Sequence, residues 1–325
     1  MITQFACNFL LTLILLYLYL TKINYPILFD HNPLGLGSKK KTKTGSGIIF
    51  SIILLINYTY YSFDQSVLDI IPNRYYIFLI SIFLLTTISF VDDLKPVDPR
   101  FRLIAQIVII YFSLSLINLY YFDLPLKLMI FLNLVLWVYI INITNFIDGS
   151  DGYLSVNAIS FLLGIIIINQ FLPNIFFSYK LAIVLLPILL CFIYFNKPKA
   201  KLYMGDTGSI LVGYIIGFCL LELISSEYWY LSIALYSYPL LDCTLTVLKK
   251  IFSGKSVFDR NFSYFFQLPL MELQKNNYKV LAVSIFYNFF NLLIVCLILY
   301  LANPYLVIIS IILSFSKIIF FIKLK

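Results

Sequence analysis

Continuous apolar runs of about twenty residues recur along the 325-residue chain, and short segments rich in charge and glycine separate them. A run of that length carries an α-helix across about 30 Å of hydrocarbon, whereas a membrane β-barrel shows polarity that alternates over about ten residues. The pattern therefore predicts an all-α polytopic membrane protein with about eleven spans. The predicted spans are residues 5–21, 46–63, 75–91, 103–121, 125–142, 153–171, 179–195, 209–225, 228–248, 279–301 and 304–322.

The composition agrees with this pattern and excludes several other classes of protein. Hydrophobic residues make up 62% of the chain and charged residues only 12%, whereas a soluble domain carries about 25% charged residues. Disordered chains, coiled coils, collagen and disulfide-stapled secreted domains are excluded on the same figures. We predict one membrane-embedded domain over residues 1–325. The run at 5–21 is interpreted as a membrane helix and not a signal peptide, because no basic segment precedes it.

The basic residues are distributed unevenly between the two sets of segments that connect the spans. If the first helix runs from outside to inside, the inner segments hold 19 of the 23 Lys and Arg residues. Because cytoplasmic segments carry the excess of Lys and Arg, we predict that the N-terminus lies outside and the C-terminus inside. The net charge of +8 then marks a face apposed to anionic lipid head groups. Nucleic acid is a poor alternative partner, since no soluble basic domain is present to bind it.

The acidic residues cluster at the predicted inner ends of the helices, often beside glycines. A carboxylate at the edge of a bilayer is costly without a partner, and converging carboxylates repel one another unless a cation lies among them. Oxygen ligands with no usable His or Cys favour Mg²⁺ or Mn²⁺. Ordinary solvation of helix ends would explain one or two of these acids, but not the whole set. The clustered residues are Asp92, Asp93, Asp98, Asp148, Asp151, Asp206, Asp242 and Asp259.

Two of the acidic clusters form turns between predicted helices. Residues 91–102 read V-D-D-L-K-P-V-D-P-R-F-R, and the adjacent carboxylates are suited to sharing a metal ion, facing a phosphate or taking a proton. Residues 142–152 read N-I-T-N-F-I-D-G-S-D-G, and a glycine after each aspartate suits a tight turn whose N–H groups face an anion. The amides of Asn142 and Asn145 share one helical face. A Ca²⁺ loop is the competing interpretation, but its layout and terminal Glu are missing.

Two further acids lie beside or within apolar runs. Residues 201–209 read K-L-Y-M-G-D-T-G-S and lead into an apolar helix. The free N–H groups at the start of such a helix form a phosphate site. Thr207 and Ser209 are candidate caps of this helix. A plain capped helix start explains that segment equally well. Asp242 lies about two turns from the inner end of its span, where a lone structural acid is unexpected without a basic partner.

Three motifs in these segments read V-D-D-L-K-x-x-D-P-R-x-R-L, N-x-x-N-F-I-D-G-x-D-G and K-x-x-x-G-D-T-G-S. Together they resemble the polyprenyl-phosphate N-acetylhexosamine-1-phosphate transferase family. The resemblance implies ten or eleven helices around a cytoplasm-facing groove in the bacterial inner membrane, with Mg²⁺ as cofactor. It implies transfer of a sugar-1-phosphate from a UDP-linked N-acetylated sugar to polyprenyl (undecaprenyl) phosphate, with release of UMP. Such a step initiates cell-envelope polysaccharides, and the wording D-P-R-x-R-L is closer to the O-antigen (lipopolysaccharide) and N-acetylglucosamine branch. A homodimer is left open.

The resemblance also gives roles to individual residues. Asp206 resembles the principal Mg²⁺ ligand of the family. Asp92 and Asp93 resemble the acidic pair at the polyprenyl phosphate, one of them a base or nucleophile. Together with Asp148 they are the predicted catalytic residues. The predicted substrate-binding residues are Asn142, Asn145, Asp151, Asp242, Lys40, Lys41 and Arg260.

One departure from the family pattern lies in the last inner loop, where the family carries a histidine-rich motif. Residues 258–267 read F-D-R-N-F-S-Y-F-F-Q and contain no histidine, so the pyrophosphate or sugar contact falls to Arg260. In the basic first loop, Lys40 or Lys41 is a nucleotide or phosphate contact, unless that run of charge is simply solvated. Two other functions stay open: a secondary transporter, which would place ionisable groups near mid-depth, and a catalytically impaired homologue that acts as a binding subunit.

Overall fold

The computed structural model describes residues 2–30, 42–63, 72–119, 122–173, 176–254, 264–273 and 277–324. Within these ranges, ten helices are long and apolar enough to cross a membrane, and Gly47–Tyr60 is a shorter apolar helix. These helices follow the eleven predicted spans in order, which confirms the all-α polytopic fold. The helices are α1 (Ile2–Lys22), α2 (Gly47–Phe63), α3 (Pro72–Leu94), α4 (Pro99–Ser113), α5 (Leu126–Ile147), α6 (Tyr153–Phe171), α7 (Phe176–Asn196), α8 (Gly205–Ser225), α9 (Trp229–Phe252), α10 (Leu268–Leu273), α11 (Asn277–Leu301) and α12 (Val307–Lys323).

Several helices extend beyond the predicted spans into the polar segments. Helix α3 runs to Leu94 and carries Asp92 and Asp93 in its last turn, whereas the predicted span ends at residue 91. Helix α8 begins at Gly205, so Asp206 lies in its first turn. Hydrophobicity marks where a helix leaves the hydrocarbon and not where its backbone hydrogen bonds end. The acidic side chains are therefore mounted on helical backbone.

A short two-stranded ribbon ties the first connecting segment to the centre of the fold. Strand β1 (Phe29–Asp30) pairs antiparallel with β2 (Thr42–Lys43), and β2 also bridges in parallel to Leu202. The backbone N–H of Gly47 donates to the carbonyl of Met204 at 2.9 Å. The described ends of the first loop consequently lie beside the segment that leads into α8.

Helix α8 is the central helix of the bundle, and every residue from Thr207 to Leu221 is buried. It packs against α2, α3, α5 and α9, and its glycines let α5 approach closely, as small residues do at membrane helix interfaces. A Cβ atom at Gly217 would overlap the indole ring of Trp137 on α5. The indole Nε1 of Trp137 donates to the carbonyl of Tyr214 at 2.9 Å. The middle of α8 is thereby held closely against α5.

Large apolar side chains are exposed on the outer helices, among them Leu10, Ile80, Phe131 and Phe286. Water-facing surfaces rarely carry so many contiguous apolar groups. This surface suits outer helices that face lipid. The orientation of the helices across the bilayer stays a prediction.

Candidate active site

Three helices meet at the side chain of Arg102. Its Nη1 atom, on α4, donates to the carboxylate of Asp92 on α3 and to that of Asp206 on α8, forming two salt bridges. The side chain of Arg102 is 24% exposed, that of Asp92 10% and that of Asp206 28%. The cluster is thus partly buried yet accessible to a ligand. Two predicted site residues from distant parts of the sequence converge here, and Arg102 joins them as a residue without a predicted role.

Asp93 caps the N-terminus of α8 from the neighbouring helix α3. Its carboxylate accepts hydrogen bonds from the backbone N–H groups of Asp206 (2.9 Å) and Thr207 (3.1 Å), and from the Thr207 hydroxyl at 2.5 Å. Gly205 precedes these residues with φ of +73°, and a Cβ atom there would collide with the Asp93 carboxylate. Both the left-handed backbone and the close carboxylate therefore require glycine at this position.

This contact corrects one prediction. Thr207 and Ser209 were expected to cap α8, but a carboxylate from another helix fills that place; Ser209 instead donates to the Asn145 side-chain oxygen at 2.8 Å. The catalytic role of Asp93 stays a prediction, and both of its oxygens accept hydrogen bonds from α8. The structure therefore gives Asp93 a positioning role. It also occupies the first N–H groups of α8, which were expected to face a phosphate.

The last turns of α5 carry the two predicted amides on one face. Asn145 lies against Ser209 on α8, and the Nδ2 of Asn142 donates to the Oε1 of Gln106 on α4 at 3.0 Å. Gln106 is buried one helical turn after Arg102. The amides therefore brace α5 against the two helices that carry Asp206 and Arg102. Their contact with substrate stays a prediction.

Asp148 follows the last residue of α5 and lies among other acids. Burial raises the pKa of Asp148 well above its ordinary value, and the negative charges of Asp206, Asp93 and Asp151 raise it further. Carboxylates this close to one another favour a bound cation or a bound proton. Asp148 is therefore linked to the cluster through the charges of Asp206 and Asp93, whereas Asp92 and Asp206 are joined directly through Arg102.

Asp151 holds the segment that precedes α8. Its carboxylate accepts hydrogen bonds from the backbone N–H groups of Lys199 (3.0 Å) and Ala200 (3.2 Å) and from the Tyr203 hydroxyl (3.3 Å). Burial raises the pKa of Asp151, while these hydrogen bonds act in the opposite direction. Protein donors therefore give Asp151 a structural role, and its contact with substrate stays a prediction.

Asp242 is buried and held by protein donors, and its predicted contact with substrate stays a prediction. Its residue is 0% exposed, and its carboxylate accepts from the hydroxyl of Tyr238 (2.7 Å) and the backbone N–H groups of Phe265 (2.8 Å) and Phe266 (3.3 Å). A basic side chain lies near this acid: the Nζ atom of Lys317 on α12 is 3.8 Å from the ring centroid of Tyr238, whose hydroxyl donates to Asp242. The sequence alone offered no signal for Lys317, which stands by itself in an apolar helix.

The remaining predicted residues, Lys40, Lys41 and Arg260, lie outside the described residues, so their roles stay predictions. The described chain beside them lies close to the acidic cluster. Strand β2 begins directly after Lys41 and bridges to the segment before α8. Tyr264, shortly after Arg260, stacks on Phe146 of α5 with 5.9 Å between ring centroids.

The donor set suits a divalent cation that is shared with a substrate. Within the described ranges, no group of three or more His, Cys, Asp or Glu side chains is arranged to hold a metal ion by itself. Mg²⁺ usually takes one or two carboxylates from a protein and completes its shell with water and substrate phosphates. Asp206 and Asp92, whose carboxylates converge on Arg102, form such a pair.

Comparisons with known proteins match the part of the chain that carries this cluster. The family described as glycosyl transferase family 4 matches residues 75–224, a stretch that includes Asp92, Arg102, Asp148 and Asp206. A phospho-N-acetylmuramoyl-pentapeptide-transferase of Thermotoga neapolitana is 26% identical over 275 residues, which are 79% of this chain and 85% of that protein.

Two further relatives carry the same description. The protein of Campylobacter lari is 27% identical over 235 residues, 61% of this chain and 64% of that protein. The protein of Leuconostoc citreum is 34% identical over 94 residues, 27% of this chain and 28% of that protein. The match therefore spans slightly less than two thirds of the Campylobacter lari protein and about a quarter of the Leuconostoc citreum protein.

Proposed function

Since the chain belongs to glycosyl transferase family 4, we propose that it transfers a sugar-1-phosphate from a UDP-linked N-acetylhexosamine to polyprenyl phosphate and releases UMP. The product is a lipid pyrophosphate-linked sugar that begins a cell-envelope polysaccharide. The observation that carries this proposal is the convergence of Asp92 and Asp206 on Arg102, with Asp148 in the same acidic cluster. The cluster lies at helix ends within the residues that match the family. This location suits two substrates that carry phosphate groups at the membrane surface.

Charge repulsion is the main obstacle to this reaction. An oxygen of the polyprenyl phosphate attacks the phosphorus that carries the sugar, and the bond from that phosphorus to the oxygen bridging it to UMP breaks. A phosphate monoester carries about −1.5 to −2 charges at pH 7, and its target is a diphosphate that is also anionic. Catalysis of phosphoryl transfer consequently depends on positioning and on compensation of negative charge.

The side chains of the cluster can supply both requirements. The guanidinium of Arg102 presents several N–H donors in one plane and can bind a phosphate while it stays paired with a carboxylate. Asp206 and Asp92 would hold Mg²⁺, which when bound neutralises phosphate charge as a Lewis acid. Asp93 fixes the first turn of α8 and so keeps Asp206 in place.

A strong general base is not needed, because a phosphate nucleophile is already ionised near neutral pH. Asp148 suits a different role. A carboxyl group whose pKa is well raised keeps its proton more readily, so it donates a hydrogen bond to a substrate oxygen instead of repelling it. We therefore assign Asp148 to the nucleotide-sugar side of the site.

We place this reaction at the cytoplasmic face of a bacterial inner membrane, with the N-terminus outside. The distribution of 19 of the 23 Lys and Arg residues on one side supports this orientation. The same set of connecting segments carries the acidic cluster. A transporter would instead place its ionisable groups near mid-depth around a central path, whereas these acids lie at helix ends.

The proposal is tested by a panel of UDP-sugars incubated with the purified full-length protein, Mg²⁺ and polyprenyl phosphate. We expect UMP release that requires the lipid phosphate and prefers UDP-N-acetylhexosamines over UDP-hexoses. Binding of a UDP-sugar without UMP release would identify a catalytically impaired binding subunit and contradict the proposal. Glu227→Gln is a matched control, because Glu227 is exposed beyond the opposite end of α8 and should leave turnover unchanged.

A further inference from the structure

Lys317 is a buried lysine in the last membrane helix, α12. Its residue is 1% exposed, and its Nζ atom has no hydrogen-bond partner in the described part of the chain. The Nζ atom lies 3.8 Å from the ring centroid of Tyr238 on α9, and the charge of Lys317 acts on Asp242. An ionisable side chain inside a membrane helix is costly and usually has a function. None of the roles described so far uses this lysine.

Asp242 binds residues 264–267 through their backbone. We call these residues the return segment, because they lie at the end of the last predicted inner loop. The Tyr238 hydroxyl donates to Asp242, whose carboxylate in turn accepts the backbone N–H groups of Phe265 and Phe266. Because the carboxylate is fully buried, it needs a compensating positive charge. Lys317, whose Nζ atom contacts the ring of the same Tyr238, is placed to supply that charge.

The return segment packs on residues 148–152, which we call the acidic turn. Phe266 stacks on Tyr153, with 4.1 Å between ring centroids and 9° between ring planes. Tyr264 stacks on Phe146 at 5.9 Å. Phe146 precedes the acidic turn and Tyr153 follows it, so the two stacked pairs bracket the turn. The position of the turn therefore depends on the return segment.

From these contacts we propose that Lys317 is a positioning residue, which together with Asp242 holds the return segment against the acidic turn and so shapes the nucleotide-sugar site. The kinetic part of this inference rests on the proposed function, and the structural part does not. A cavity of about 30 Å³ lies beside Lys317, and its lining includes the polar side chains of Asn157, Asn288 and Ser314. It has room for water that hydrates the ammonium group.

The structural part is tested by a double-mutant cycle on thermal unfolding of the purified protein in detergent. Lys317→Met and Asp242→Asn should each lower the melting temperature, because each leaves one buried charge without its partner. The double variant K317M/D242N should melt closer to the wild type than either single variant does. Lys323→Met is the matched control, because Lys323 lies exposed in the last turn of the same helix. Strictly additive single effects would overturn the pairing.

The kinetic part is tested by measuring KM separately for the two substrates. Loosening the acidic turn should raise the KM for the UDP-sugar severalfold in K317M and leave the KM for polyprenyl phosphate unchanged. Lys317→Arg, which keeps the charge, should recover most of the effect. A purely structural loss would lower the active fraction, and so kcat, with both KM values intact; that result would overturn the positioning role. If the wild type released no UMP, the proposed function would fail while the unfolding cycle still tested the pair.

Discussion

The backbone N–H of Asp206 donates a 2.9 Å hydrogen bond to the carboxylate of Asp93, although the two residues lie on different helices. Side-chain caps of helix N-termini usually come from the residue just before the helix. Here the cap comes from the end of α3, so the contact fixes the distance between α3 and α8. Because Asp92 precedes Asp93, this one contact also sets where Asp92 and Asp206 face each other.

Asp93→Ala should therefore destabilise the protein and disturb the site together. Loss of a helix N-cap costs about 1–2 kcal/mol of unfolding free energy, and the first turn of α8 carries Asp206. We expect a lower melting temperature in detergent and a clear loss of UMP release. Asp93→Asn keeps one acceptor oxygen and should fall between the wild type and the alanine variant. Equal stability of Asp93→Ala and the wild type would show that the cap does not hold α8.

Arg102→Gln should lower kcat/KM by about 10²–10³-fold, the usual cost of removing one charged or hydrogen-bonding group from an anionic transition state. Arg102→Lys keeps the charge but not the planar pair of donors, so partial activity is expected. Arg100→Gln is the matched control, because Arg100 is exposed on the same helix. The assignment of Arg102 would be wrong if R102Q and R100Q had the same steady-state kinetics.

The raised pKa of Asp148 makes a prediction about stability and pH. Between the ordinary Asp pKa of about 3.9 and the raised folded value, the folded state binds more protons than the unfolded state. The free energy of unfolding should therefore fall as pH rises through this window, and stay reduced above it. Asp148→Asn removes this penalty, so it should melt higher than the wild type at neutral pH and alike near pH 4.

Urea or thermal unfolding of both proteins across this pH range measures the difference. If the free energy of unfolding changed with pH in the same way in the wild type and in Asp148→Asn, the raised pKa of Asp148 would be contradicted. Activity gives an independent readout, because Asp148→Ala should lose turnover, whereas Asp148→Asn keeps a neutral hydrogen-bond donor and should retain part of it.

Much of the fold follows from the sequence, because apolar runs of membrane length have few alternative structures. The motifs also located the helix ends that carry Asp92, Asp148 and Asp206, of which Asp92 and Asp206 converge on Arg102. The motifs did not show which carboxylates also hold neighbouring helices and segments together. The oxygens of Asp93 are filled by N–H groups more than a hundred residues away along the chain, at Asp206 and Thr207, and spacing along the sequence carries no sign of such a partner.

The same limit explains Arg102 and Lys317. Arg102 follows the acidic pair in sequence, but only the structure shows that it bridges from α4 to Asp206 on α8. Lys317 stands in an apolar helix without an acid nearby in sequence, and its partner Asp242 lies on another helix. The sequence shows that residues 258–267 contain no histidine. It does not show that Tyr264 stacks on Phe146, which only the structure reveals.

Asp206 is the carboxylate that would bind Mg²⁺ between the two substrates, and the proposed reaction depends on it more than on any other side chain. The direct measurement is UMP release from a UDP-N-acetylhexosamine and polyprenyl phosphate by Asp206→Asn, compared with Glu227→Gln at equal protein and at several Mg²⁺ concentrations. We predict that D206N releases no UMP at any Mg²⁺ concentration, whereas E227Q matches the wild type and both need Mg²⁺. Full turnover by D206N, or turnover in the presence of a chelator, would contradict the central claim.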